Sequence, residues 1–205
     1  MIDIASQLEA IHRGVGKRAA GDSELVAVLL RRNYPAQIDD VWNAITDPDR
    51  VKRWFLPLNG DLRLGGTFQL EGNAGGDILE CAPPRRLKVT FGGPTSLVEL
   101  RLTPEGDDAT VVELEHTVPI EMARSGAGAL YVGPGWDGAL LALALYLSGE
   151  VAADPVAAAH SPEGLEFSKR SVATWVGVVE SSGTATNEEI SAATEMALAQ
   201  FAPES

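Results

Sequence analysis

Apolar and polar residues alternate along much of the chain between residues 61 and 116, and this period of two predicts strands. Glycine, proline and acidic residues interrupt the pattern at short intervals, which predicts an antiparallel meander because consecutive strands are joined by short turns. One earlier strand is predicted ahead of this stretch. The predicted strands are Leu25 to Arg32, Leu62 to Leu70, Asp77 to Cys81, Arg86 to Phe91, Leu97 to Thr103 and Thr110 to His116.

The last three predicted strands have one apolar face and one charged face. Alternate side chains of a strand point to opposite faces of the sheet, so the two sets separate cleanly. The apolar face carries Leu87, Val89, Phe91, Val98, Leu100, Leu102, Val112, Leu114 and His116. The opposite face carries Lys88, Glu99, Arg101, Glu113 and Glu115. One face of the sheet is therefore dry, and it needs a cover.

Helical spacing appears on both sides of the first predicted strand. Ahead of that strand, the apolar spacing predicts a short amphipathic helix or arm before Gly16, formed by Ile4, Leu8, Ile11 and Val15. After it, a second apolar stripe predicts another helix, with Ile38, Val41, Trp42 and Ile45. Asp47 is the predicted N-cap of a third helix with Pro48 at its first position, and Trp54 and Phe55 close that helix.

The segment from Pro134 to Ser148 predicts the helix that covers the dry face, and Gly149 ends it. Apolar residues on its far side require a second cover. Two helices of the tail supply it, one starting at Ser161 and one behind a capping box formed by Thr186 and Glu189. We expect this pair to pack on the outer side of the long helix or to form part of a homodimer contact.

Composition and charge restrict the classes of partner. The chain has 205 residues, 45% of them hydrophobic, which is enough for one large domain, or one domain with an extension, around a buried core. Its 29 acidic and 16 basic residues give a net charge of -13, so its field repels phosphate backbones and anionic lipid headgroups. Neither nucleic acid nor a membrane is an expected partner. A single cysteine and an N-terminus without a signal-peptide pattern favour the cytoplasm.

Several short motifs within residues 24 to 148 resemble those of the START-like, or SRPBCC, superfamily. They are Val41-Trp42, Thr46-Asp47-Pro48, Arg53-Trp54-Phe55, Gly65-Gly66-Thr67-Phe68, Cys81 to Leu87 and Gly135-Trp136-Asp137. Within that superfamily the chain is most similar to bacterial homologues of the heat shock protein 90 ATPase activator. The resemblance implies an α+β helix-grip fold, as in the birch-pollen allergen, in which an antiparallel sheet wraps around a long C-terminal helix.

This resemblance divides the chain into a helical arm (residues 1–20), a START-like domain (21–150) and a helical C-terminal extension packed on that domain (151–205). It also implies a cavity between sheet and helix that binds a small hydrophobic or amphipathic molecule. The residues expected to line the site are Trp54, Phe55, Phe68, Phe91, Leu100, Leu114, His116, Trp136 and Leu140. No cofactor is expected, and no metal, because Cys81 has no histidine or second cysteine at ligand spacing.

Two other functions stay open at this point. The same cavity could serve a cyclase or aromatase, with His116 as the proton-transfer group, although His116 also fits a structural histidine at the rim of the sheet. Alternatively, the acidic surface and the helical tail form a protein-interaction module of the co-chaperone kind. Asp137 is interpreted as a first-turn carboxylate that the dipole of the long helix stabilises, and a catalytic role is the less favoured reading.

Overall fold

The computed structural model describes residues 2–21 and 23–203. Its strands are β1 (Ile11–Ala20), β2 (Ser23–Tyr34), β3 (Leu58–Gly60), β4 (Thr67–Leu70), β5 (Gly75–Ala82), β6 (Arg86–Thr90), β7 (Leu97–Pro104) and β8 (Thr110–Pro119). Across these described residues the strands form one eight-stranded antiparallel sheet in the order β1-β2-β8-β7-β6-β5-β4-β3. From β3 to β8 each strand lies beside its successor in the chain, which confirms the predicted meander.

The helices lie before, within and after this sheet in the sequence. They are α1 (Ile4–Glu9), α2 (Ile38–Thr46), α3 (Pro48–Val51), α4 (Ile120–Ala123), a 3-10 helix (Gly126–Tyr131), α5 (Gly133–Leu147), α6 (Pro155–Ala159), α7 (Pro162–Ser182) and α8 (Asn187–Phe201). A long sheet followed by a long helix confirms the expected helix-grip fold. Within the described part of the chain, no helix is both long enough and apolar enough to cross a bilayer.

The chain forms two compact units. The terminal unit contains Met1–Leu30, Thr117–Ala139 and Ala157–Ser205, and the central unit contains Arg31–His116 and Leu140–Val156. The boundary falls within α5, whose first half belongs to the terminal unit and whose second half belongs to the central unit. The domain limits expected from the sequence, at residues 20 and 150, remain predictions.

The register of β6 and β7 explains the dry face of the central unit. Leu87 lies opposite Leu100, and Val89 lies opposite Val98, so apolar side chains pair across the two strands. Burial is uneven along this face. Val89 and Val98 are buried, whereas Leu87 and Leu100 are only half-buried. The face is thus apolar, as predicted, but its cover is incomplete.

The opposite face of the same strands is held by ion pairs. Glu99 Oε1 accepts from Arg86 Nε at 2.9 Å and from Arg101 Nε at 2.8 Å, and Arg101 also pairs with Glu113. Burial acts to raise the pKa of Glu99, but Arg101 and Arg86 outweigh it and hold this pKa below the ordinary value. Glu99 is only 9% exposed because its two arginine partners cover it.

The helix ends follow the predicted capping chemistry. The side chain of Asp47 accepts from the backbone N–H groups of Asp49 and Arg50 at the start of α3. The Thr186 hydroxyl and the Glu189 carboxylate form the expected capping box of α8. At the end of α5, Gly149 has a φ of +84°, a left-handed conformation that residues with a Cβ rarely adopt.

The N-terminal arm departs from the sequence prediction. The helix ends at Glu9, and residues 11–20 form a strand, so the helical assignment of Ile11 and Val15 is wrong. Gly14 and Gly16 disfavour a helix here, and the segment instead pairs with β2 in the sheet. Ile11 is buried, which gives the start of this strand a place in a core.

Two further boundaries differ from the prediction. Helix α3 ends at Val51, so Trp54 and Phe55 lie in the turn and bend after it. The strand predicted from Leu62 begins only at Thr67, because residues 61–66 form a turn. Gly66 permits this turn: a Cβ at that position would overlap the backbone of Asp61.

Candidate functional site

A row of three rings crosses the dry face of the central unit. The rings of Phe68 on β4 and Phe91 after β6 stack with centroids 6.2 Å apart. The Phe91 ring then meets the His116 ring of β8 edge-on at 6.0 Å. Both phenyl rings are half-buried, whereas His116 is 4% exposed. Three residues predicted for the ligand site are therefore brought together, with an apolar end that is partly open and a polar end that is buried.

His116 has a hydrogen-bond partner that the sequence interpretation did not identify. Ser96 Oγ lies 2.8 Å from His116 Nε2, and both side chains are buried. Ser96 directly precedes β7, and its carbonyl accepts from the Phe91 N–H at 2.8 Å. Two more steps of the β6–β7 register, beyond the Val89 and Val98 pair, lead to this position. Extending the strand pairing by two residues would have predicted from the sequence that Ser96 lies opposite Phe91.

Burial sets the protonation of His116. Desolvation lowers the pKa of the imidazole to about 4, because the charged form loses its hydration in this environment. At neutral pH the ring is uncharged and carries one N–H donor and one nitrogen acceptor. A neutral ring of low basicity suits hydrogen bonding better than proton abstraction.

The same shift predicts an acid-sensitive fold. The pKa of His116 is about 4 in the folded state, against an ordinary value of 6.5, so the unfolded chain binds more protons between these limits. The contribution of His116 to the free energy of unfolding is therefore fully present above pH 6.5. It decreases as the pH falls towards 4, by about 3 kcal/mol in all. Urea unfolding at several pH values measures this, and His116→Gln should flatten the profile. A profile that His116→Gln leaves unchanged would contradict the prediction.

Trp54 and Phe55 form a separate aromatic pair in the central unit. Their rings stack at 5.5 Å, and both side chains are half-buried. The indole N–H of Trp54 donates to the Ala44 carbonyl of α2 at 2.9 Å. This bond ties the turn after α3 to α2, so the polar tip of Trp54 already has a structural partner.

The remaining predicted site residues are distributed between core and rim. Leu114 and Leu140 are almost completely buried, and the Leu140 carbonyl accepts from the Tyr34 hydroxyl at 3.0 Å. Leu100 is half-buried on the dry face. Trp136 is half-buried and belongs to the terminal unit. Of the predicted set, the ring contacts join Phe68, Phe91 and His116 into one row.

Asp137 is the centre of a buried polar cluster in the terminal unit. It accepts from Arg13 Nε at 3.0 Å, from Ser171 Oγ at 2.5 Å and from Trp175 Nε1 at 3.0 Å. Because α5 begins at Gly133, Asp137 lies beyond the first turn, and the first-turn interpretation is wrong. Burial raises the pKa of Asp137, while Arg13, Ser171 and Trp175 act in the opposite direction. The carboxylate joins β1, α5 and α7 through these bonds.

The described residues contain no group of three or more His, Cys, Asp or Glu side chains placed to hold a metal ion. The aromatic row itself offers its rings, the Ser96 hydroxyl and the neutral His116 imidazole. Such a set can bind an apolar molecule and fix one polar group of it.

Comparison with known proteins identifies the family of this fold. The profile described as "Activator of Hsp90 ATPase homolog 1-like protein" matches residues 35–148. The crystal structure of CalU16 from Micromonospora echinospora is 42% identical, with a TM-score of 0.68, and the match covers 83% of this chain and 98% of CalU16. A comparison with the curated proteins finds no match.

Two more distant structures share the fold. DynU16, a protein in the dynemicin biosynthetic locus, is 28% identical with a TM-score of 0.53 over 60% of this chain and 47% of its own. The Hsp90 activator PFC0360w from Plasmodium falciparum is 20% identical, with a TM-score of 0.51 over 60% of this chain and 96% of its own. The profile match and the identity to CalU16 together show that this chain belongs to the Activator of Hsp90 ATPase homolog 1-like family.

Proposed function

We propose that this protein binds a small hydrophobic or amphipathic molecule on the dry face of the central unit. The observation that carries the proposal is the row of Phe68, Phe91 and His116, in which two phenyl rings remain half-buried on an apolar face. Ligand sites are mostly apolar and aromatic, with a few polar groups that fix orientation. Leu87 and Leu100, also half-buried, extend the apolar surface along β6 and β7.

One relative supports a small-molecule role, because DynU16 belongs to the dynemicin biosynthetic locus. In this chain the dry face and the second half of α5 belong to the same compact unit. We therefore favour a small molecule, rather than a protein or another macromolecule, as the partner.

An enzyme of the cyclase or aromatase kind is the second candidate, with His116 as the proton-transfer group. Its support is the position of His116 at the buried end of the ring row. The low pKa of His116 weighs against this enzyme role, because a base with a pKa of about 4 is a weak proton acceptor at neutral pH. This candidate requires that His116→Ala abolish turnover of the bound molecule while the fold persists.

The interaction-module alternative has less support. Ser171 and Trp175 of α7 are bonded to the buried Asp137, so this helix contributes to the core of the terminal unit. Deletion of residues 155 to 205 should therefore cause loss of solubility instead of selective loss of a protein partner. A homodimer through the tail remains a proposal, which light scattering of the purified protein would measure.

The first experiment is native mass spectrometry of the purified protein, followed by organic extraction and mass analysis of any bound molecule. A stoichiometric small molecule supports the proposal and identifies its chemical class. In parallel, titration with the amphipathic dye 8-anilinonaphthalene-1-sulfonate measures binding directly. The proposed function would be contradicted if no small molecule co-purifies and the dye shows no saturable binding.

Phe91→Ala is expected to weaken dye binding about tenfold, because the phenyl ring is a central part of the proposed apolar wall. Fluorescence titration of the wild type and the variant measures the change. Phe201→Ala is the matched control, since Phe201 is also half-buried but lies on α8 in the terminal unit. An equal weakening by both variants would show that the dye does not bind at the aromatic row.

A further inference from the structure

Ser96 and His116 form a buried polar pair at one end of the apolar surface. The Ser96 hydroxyl and His116 Nε2 lie 2.8 Å apart, and Phe91 contacts the imidazole edge-on. Ser96 is 6% exposed and His116 is 4% exposed, yet the neighbouring phenyl rings are half-buried. A molecule lying on Phe68 and Phe91 would therefore meet this polar pair at one end.

The pair can present either a donor or an acceptor. A neutral imidazole exists in two tautomers, and Nε2 accepts in one and donates in the other. If Nε2 accepts the Ser96 proton, the serine oxygen can accept from a ligand hydroxyl. If Nε2–H donates to the serine oxygen, the Ser96 proton is available to a ligand carbonyl. In both cases the Ser96 hydroxyl has the capacity for a further hydrogen bond, which a ligand can use.

The ring row favours a flat partner. The Phe68 and Phe91 rings are inclined by 29° to each other, and both residues are half-buried. Aromatic rings prefer offset or edge contacts with other flat unsaturated systems, which add to simple apolar burial. A flexible alkyl chain would lose more conformational freedom against the same surface.

We propose that Ser96 and His116 select the ligand of this site, and that this ligand is a flat unsaturated molecule carrying a hydroxyl or carbonyl group. The inference rests on the proposed function and deepens it by naming the ligand class. Ser96 and His116 act as specificity-determining residues, because buried polar groups discriminate against an analogue that cannot pair with them.

Three probes of similar apolar character test the inference by calorimetric titration of the full chain. They are 2-naphthol, which is flat and has a hydroxyl, 2-methylnaphthalene, which is flat and lacks one, and decan-1-ol, which has a hydroxyl on a flexible chain. The wild type is expected to bind 2-naphthol most tightly. Ser96→Ala should weaken 2-naphthol binding about tenfold and leave 2-methylnaphthalene unchanged.

Thr103→Ala serves as the control, because it removes an exposed hydroxyl from the same strand, β7. If Ser96→Ala weakens both naphthalenes equally, or neither, the selective role of Ser96 is overturned while binding at the site stands. If decan-1-ol binds as tightly as 2-naphthol, the flat ligand class is overturned. If no probe binds the wild type, the inference fails together with the proposed function.

A second variant keeps the test independent of the folding of Ser96→Ala. His116→Leu removes the imidazole but keeps an apolar side chain, and circular dichroism checks that it folds. It should lose the preference for 2-naphthol over 2-methylnaphthalene, whereas His116→Gln, which retains a donor and an acceptor, should keep part of it. A preference that His116→Leu leaves intact would overturn the role of His116.

Discussion

Replacing Asp137 with alanine is expected to lower the free energy of unfolding by about 3–5 kcal/mol, because it leaves the buried Arg13 without its counter-charge. The Asp137 side chain is fully buried, and the side chain of Arg13 is 5% exposed. The same change removes the acceptor for Ser171 Oγ and Trp175 Nε1. Urea unfolding followed by circular dichroism measures the loss.

Asp107→Ala provides the control, since Asp107 is exposed in the loop between β7 and β8. It should change the free energy of unfolding by less than about 0.5 kcal/mol. The double variant Arg13→Met with Asp137→Leu should recover only part of the lost stability: it removes the unpaired charge of Arg13, but Ser171 Oγ and Trp175 Nε1 still lack an acceptor. A loss below about 1 kcal/mol in Asp137→Ala would show that the cluster contributes little to the fold.

The Arg13 and Asp137 pair also marks the limit of what the sequence can reveal. These residues are 124 positions apart, and no local period connects a residue of the N-terminal arm with one of the long helix. The spacing around Asp137 indicated only its place on α5. Its partners on β1 and α7 follow from tertiary packing, which single-sequence patterns do not encode.

Local patterns served well where one face of an element is buried. The alternation in Arg86 to Thr103 fixed which residues share a face, because a shift of one residue would turn every apolar side chain outwards. The same rule placed Phe91 and His116 on the dry face. Their contact was not predicted, since it depends on the order of the strands and on the turn that positions Ser96.

Patterns misled where an amphipathic spacing was short. Four apolar residues between Ile4 and Val15 fit a helix, but the second half of that segment is a strand. Only Leu8 of α1 is buried, so this helix has little tertiary packing to extend it. Short apolar runs do not separate helix from strand by themselves, and pairing with β2 places this segment in the sheet.

Trp175→Ala is expected to reduce the free energy of unfolding by about 3–5 kcal/mol. It removes the largest fully buried side chain among the described residues and leaves a cavity in its place. The indole also donates to Asp137, so the loss includes a hydrogen bond to a buried carboxylate. Trp175→Phe keeps a ring and loses the donor, and it should show a smaller loss. Guanidinium unfolding of the three proteins measures both contributions.

Gly133 supplies the internal check on this prediction. A Cβ built on Gly133 would lie 2.6 Å from Cδ2 of the Trp175 ring, so Gly133→Ala should destabilise the wild type. With Trp175→Ala the ring is absent, and the added methyl group occupies part of the space that it leaves. Gly133→Ala should then be neutral or stabilising, a strong departure from additivity that a double-mutant cycle measures. Additive effects of the two changes would mean that the Trp175 ring does not pack on the start of α5.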